Sequence, residues 1–124
     1  MKKLTKKQIE KMAYDIRKFL LEHSLWVDVT IYFNGKALST DDRNGHYGYN
    51  DPDKVFLLED QDPRKYFPYF GDILGMSFEG DFYYVLNYDA APKIRVAFNE
   101  LLARYGVYYE LGNAWNLSVF PIPY

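Results

Sequence analysis

Trp26-Val27-Asp28-Val29-Thr30-Ile31-Tyr32-Phe33-Asn34-Gly35 is the stretch on which the fold turns. Val27, Val29, Ile31 and Phe33 fall on one face of an extended chain, and Trp26, Asp28, Thr30 and Tyr32 on the other. Asn34-Gly35 follows at once, the pair best suited to a two-residue type I′ turn because both positions need positive φ. Lys36 to Thr40 then returns as a second strand. An antiparallel hairpin with one apolar face results, and that face needs a cover.

The cover lies upstream. Thr5 is a good N-cap, Gln8 completes a capping box, and Leu4 is placed to staple onto Ile9. Ile9, Met12, Ala13, Ile16, Phe19 and Leu20 recur at three- and four-residue spacing and lay one apolar stripe along a helix that ends at His23 and Ser24. A second helix is signalled later. Asp89 is its candidate N-cap, and Pro92 falls in its first turn. Ile94, Ala97, Phe98, Leu101, Leu102 and Tyr105 make its stripe, and Gly106 stops it.

The remaining elements are short. Residues 41–53 read as a polar, turn-rich loop, Val55 to Leu58 as a buried strand, and Ile73 to Glu79 as another strand weakened by Gly75. Phe82 to Tyr88 fits two patterns. Its aromatic and β-branched content favours a strand after a Gly80-Asp81 turn; the alternative is a short helix capped by Asp81, with Phe82, Val85 and Leu86 on one side. Val107 to Leu111, a Gly112-Asn113 turn and Ala114 to Phe120 read as a closing hairpin. The expected fold is α+β, a single domain over residues 1–124. It is an antiparallel sheet of about five to seven strands with two amphipathic helices packed on one face.

Composition then sets a problem. Thirteen tyrosines, nine phenylalanines and two tryptophans make 19% of the chain aromatic, more than one small core can hide. Trp26, Tyr32 and several of Tyr108, Tyr109 and Trp115 are expected to project from strand faces the helices leave open, to be covered by a long loop or a partner. The absence of cysteine excludes a disulfide framework, a thiolate metal site and a cysteine nucleophile. No apolar run approaches the ~20 residues of a membrane span, and the basic start leads into a charged helix rather than a signal sequence. A soluble, cytoplasmic protein without membrane contact is the expectation.

The net charge of −2 is unevenly spread. Residues 1–20 carry a net +5, residues 21–62 a net −6 and the remainder −1. Lys2, Lys3, Lys6, Lys7 and Lys11 gather on one helical end, whereas the tyrosine-rich strands carry almost no arginine or lysine and the chain is acidic overall. A nucleic-acid site interleaves basic residues with its aromatics, so nucleic acid is an unfavoured partner. Thr40-x-Asp42-x-Asn44-Gly45 with Asp51 resembles a calcium loop. Its first ligand would be threonine, its last a short aspartate, and its flanks are strands, so a solvated Asx-Gly turn accounts for it. Gly71, Gly75 and Gly80 match no phosphate-binding fingerprint, and Ser24, Ser39, Ser77 and Ser118 sit in no nucleophile context. No cofactor is implied.

These readings point away from catalysis and towards recognition. The expected function is a small interaction protein that occludes a larger, basic partner, as inhibitors and immunity proteins of phages and other mobile elements do. The residues expected to carry it are Tyr47, Tyr49, Asp51, Asp53, Glu59, Asp60, Asp62, Tyr66 and Tyr69, since tyrosines anchor and carboxylates steer. Tyr66 and Tyr69 belong to an aromatic run, Tyr66-Phe67-Pro68-Tyr69-Phe70, just beyond the acidic cluster. The competing expectation is a ligand-binding or hydrolytic pocket using His46 with Asp51 or Asp53. A third is a homodimer pairing its uncovered sheet faces.

Overall fold

The computed structural model describes residues 3–65 and 73–123. The chain runs α1 (Lys6–Glu22), β1 (Val29–Phe33), β2 (Lys36–Ser39), β3 (Phe56–Leu58), a 3₁₀ turn at Pro63–Lys65, β4 (Leu74–Phe78), α2 (Asp81–Asn87), α3 (Pro92–Arg104), β5 (Val107–Asn113) and β6 (Asn116–Pro121). The strands form one sheet in the order β3-β2-β1-β4-β6-β5, and every adjacent pair is antiparallel. This is the expected α+β fold, with a third helix added. No described helix is long and apolar enough to cross a membrane.

Local chemistry explains the helix ends. The Thr5 hydroxyl accepts from Gln8 N at 3.1 Å while Thr5 N donates to the Gln8 side chain at 2.8 Å, the reciprocal capping box. At the other end Ser24 takes positive φ, and Leu25 N–H closes back onto Leu20 O at 2.7 Å. For α3 the N-cap is Ala91 rather than Asp89, with Pro92 opening the helix. Asp89 instead pairs with Arg95 at 2.9 Å, one turn in.

Register divides the sheet cleanly. Val29, Ile31 and Phe33 of β1 align with Phe78, Met76 and Leu74 of β4, and Leu117 and Val119 of β6 extend the same face. These residues join Ile9, Met12, Ile16 and Leu20 of α1, Phe82 and Val85 of α2, and Phe98 and Leu102 of α3 in one core. The opposite face carries Thr30, Ala37, Ser39, Gly75, Ser77 and Ser118 along its middle. It is a surface of small side chains, and several are buried.

Several expectations are corrected here. Phe82 to Asn87 is helical, with Tyr88 as its C-cap, and not a strand: Phe82, Val85 and Leu86 share one helical side and all three are buried. Gly80, not Asp81, is the N-cap, and it could be nothing larger, because a Cβ there would lie 2.3 Å from Val27 O. Trp26 does not project from an open face but is wholly buried in the core. Positive φ at Asp28 breaks the alternation just before β1, so Trp26 leaves the register that Thr30 and Tyr32 keep. Tyr32 does lie on the outer face but is buried, beside Ala37. Tyr109 faces the core, against Phe98. β3 is a half-exposed edge strand rather than a buried one. The last hairpin turns at Ala114-Trp115, two residues later than expected, because Asn113 Oδ1 accepts Trp115 N at 2.8 Å and Asn116 Oδ1 accepts Asn113 N at 3.2 Å.

Candidate functional site

Following the strand directions places the loops at two ends. At the upper end lie residues 26–28 before β1, the 40–55 loop after β2, the β4–α2 junction and the Ala114-Trp115 turn. At the lower end lie the Asn34-Gly35 turn, the acidic segment after β3 and Ile73.

The upper end is built outward from the core. The Arg17 guanidinium is buried over the Trp26 ring at 5.7 Å and donates to the carbonyls of Pro52 at 3.2 Å and Lys54 at 3.3 Å. Burial pulls the Arg17 pKa down, as desolvation of a cation must. Trp26 Nε1, enclosed beside it, has no hydrogen-bond partner among the described residues. Asn50 clasps the same segment, its Oδ1 accepting Trp26 N and its own N–H donating to Trp26 O, both at 2.9 Å. The 40–55 loop is therefore tied to α1 and to the entrance of β1.

On that base stand the rings. Tyr47 and Tyr49 lie 5.4 Å apart, and the Tyr49 hydroxyl donates to Asp28 Oδ1 at 2.5 Å. That bond to a carboxylate, reinforced by partial burial, pushes the Tyr49 pKa up to about 12. Asp28 O in turn accepts Glu79 N at 3.0 Å, which joins the loop to the start of α2. From there α2 crosses the strand ends. Its seven residues span about 10 Å, the width of two strand spacings, and Asn87 Nδ2 meets Ala114 O at 2.8 Å over the β5–β6 turn. Phe82, Val85 and Leu86 point down into the core, which leaves Tyr84 and Tyr88 outward. The Tyr83, Tyr84 and Tyr88 rings touch, with centroids 5.1–5.8 Å apart.

Exposure identifies the surface. Tyr47 is 55% exposed, Tyr49 42%, Tyr84 53%, Tyr88 66% and Trp115 54%, and of the exposed rings among the described residues only Tyr108 lies elsewhere. Segments 26–28, 40–55, 79–91 and 113–115 also hold eight carboxylates against Arg43 and Lys54, and Arg17 and Arg95 reach in from α1 and α3, which leaves a net −4. No protein-family model, curated protein or solved structure matches this chain.

The residues singled out from sequence are divided by this geometry. Tyr47, Tyr49, Asp51 and Asp53 lie at the upper end. Glu59, Asp60 and Asp62 lie at the lower end, across the length of β3, so the seven described residues of the set are divided between the two ends. Tyr66 and Tyr69 fall outside the described residues. Asp62 is engaged by Arg64, whose N–H and Nε hold its carboxyl below the usual range. Tyr84, Tyr88 and Trp115 were missed as a group. Tyr84 and Tyr88 stand four apart, a spacing that places them together only if the segment is read as helix.

The pocket reading draws nothing from these contacts. His46 pairs with Asp42 at 2.7 Å rather than with Asp51 or Asp53. The Asp51 carboxylate accepts Asp53 N at 2.9 Å. Desolvation acts to raise the Asp42 carboxyl, but the N–H groups of Asn44 and His46 and the His46 ring outweigh it and hold it low. That carboxylate organises a turn. Among the described residues no three histidines or carboxylates gather as metal ligands do.

Proposed function

We propose that this protein is a non-enzymatic interaction module that captures a larger, basic protein partner through the upper end of its sheet. The partner's basic surface, of the kind proteins use to handle nucleic acid, meets the carboxylates while Tyr47, Tyr49, Tyr84, Tyr88 and Trp115 supply the anchors. Binding occludes that surface, as an inhibitor or immunity protein does.

One observation carries the reading: of the six exposed aromatic rings among the described residues five share one end, where eight carboxylates face Arg17, Arg43, Lys54 and Arg95, a net −4. Tyrosine and tryptophan are the residues on which binding energy concentrates, because they offer large rigid area with a polar tip. Carboxylates around them raise the association rate of a cationic surface and reject anionic ones.

The test compares captures from native extract. The unaltered chain and a Tyr84→Ser/Tyr88→Ser/Trp115→Ser variant are immobilised side by side, with an Asp60→Asn/Asp62→Asn variant as control. A protein retained by the first and third, released by salt and absent from the second is the expected result. Equal retention by all three would remove the upper end from the binding.

A further inference from the structure

At the lower end a cleft of about 490 Å³ opens beside the Asn34-Gly35 turn, a volume within the range of small-molecule sites. Two hydrogen bonds from that one turn fix its walls. Asn34 Nδ2 donates to Lys6 O at 2.8 Å, which holds the start of α1 on one side. Gly35 O accepts Gln61 N at 2.8 Å, which holds the segment after β3 on the other. Phe33, Pro63 and Ile73 supply the apolar part of the lining.

The lining charges are divided between the walls. Lys6 stands on the helix side and Asp60 on the facing segment, and neither side chain meets a partner among the described residues. Asp62 and Arg64, also in the lining, are bonded to each other at 3.2 Å. Two amides complete the set. Asn34 Nδ2 is turned to Lys6 O, and Gln61 Nε2 to Glu59 O at 2.9 Å, which leaves the oxygen of each amide as the group without a partner. The cleft thus presents three acceptors, Asp60, Asn34 Oδ1 and Gln61 Oε1, and one cationic donor, Lys6 Nζ.

We propose that this cleft binds a small zwitterion with an apolar side chain, a free amino acid or a dipeptide. An ammonium group carries three N–H donors, matching the three acceptors, and a carboxylate matches Lys6. The ligand's side chain packs on Phe33, Pro63 and Ile73. A ligand of one sign would meet one matched and one opposed charge, whereas a zwitterion satisfies both walls at once. The site lies at the opposite end of the sheet from the exposed tyrosines, so it is independent of partner capture.

Titration of the isotope-labelled full chain with L-leucine and with Leu-Leu, followed by amide NMR, tests this. Saturable shifts at Gly35, Gln61 and the Asn34 side-chain amide are expected from at least one of them, and the tighter binder identifies the source. No saturable shift from either at millimolar concentration overturns the proposal. N-acetyl-L-leucine lacks the ammonium and L-leucinamide the carboxylate, and each blocked form of the amino acid is expected to bind about tenfold more weakly; for the dipeptide the N-acetylated and C-amidated forms serve. Lys6 and Asp60 are both exposed, and circular dichroism checks that their variants fold. Asp60→Asn is expected to erase the preference over the acetylated form, and Lys6→Met the preference over the amide. Blocked forms that bind as well as the zwitterion, or preferences that survive both substitutions, would show that the cleft does not read the two charges.

Discussion

The two ends of the sheet hold similar residue types and use them differently. At the upper end the carboxylate of Asp28 and the side chains of Asn50 and Arg17 are spent on fixing loops to one another. The rings above them are consequently exposed yet held, a platform backed by Phe82, Val85 and Leu86. At the lower end Glu59, Asp60 and Asp62 share the surface with Lys6, Lys36, Arg64 and Lys65, so no single sign prevails. A cleft of about 490 Å³ there is lined by Lys6, Asn34, Asp60, Gln61, Asp62 and Arg64 among others. Acidic residues adjacent in sequence are therefore a poor guide to acidic surface; the cations the fold brings beside them decide.

The contrast is broken most severely by removing what holds α2 down. Phe82 lies between Phe78 and Phe98, with ring centroids 5.5 and 5.2 Å away. Phe82→Ala is expected to cost about 3–5 kcal/mol by urea denaturation, with partner capture lost as α2 lifts from the sheet. Arg17→Met ranks next. It removes the donor for the 52 and 54 carbonyls and the cation over Trp26, and about 2–4 kcal/mol of stability is expected to go with them. Unchanged stability would mean that the loop holds without α1.

The third prediction sharpens the comparison directly. Tyr84→Ser with Tyr88→Ser is expected to weaken binding of the captured partner by about 2 kcal/mol or more, measured by calorimetry, while the denaturation midpoint hardly moves. Asp60→Asn with Asp62→Asn should cost less than about 0.5 kcal/mol. The reverse order would move the site to the lower end.

A smaller effect than the loss of the Tyr84 and Tyr88 rings concerns Tyr49. Its raised pKa means that the folded state holds the phenolic proton more tightly than the unfolded chain does. The stabilisation is therefore complete below pH 10 and is lost as pH rises towards 12. Tyr49→Phe is expected to be about 0.5–1.5 kcal/mol less stable at neutral pH. The difference should vanish across that alkaline window; a difference independent of pH would point to packing rather than the bond to Asp28.

Much of the fold was legible because its signals are local. The capping box at Thr5 and Gln8, the Asn34-Gly35 turn and the stop at Gly106 each need only neighbours a few residues away. The surplus of rings was legible as a quantity, but not their location. Trp26 reads as an outward strand residue until Asp28 takes positive φ, and that choice answers to Asn50 and Tyr49, which lie over twenty positions on. Likewise Phe82 to Tyr88 carries strand-favouring residues, and only the core above β1, β4 and α3 gives its helical side something to bury.

What the order of residues determined, then, is most of the elements, the cap of α1, the Asn34-Gly35 turn and the stop at Gly106, and the fact that some aromatic surface must meet water. Tertiary structure decided which rings those are and which charges surround them. Local preferences are settled among a few adjacent dihedrals, whereas burial and surface potential depend on side chains brought together from distant parts of the chain, and no window of sequence contains them.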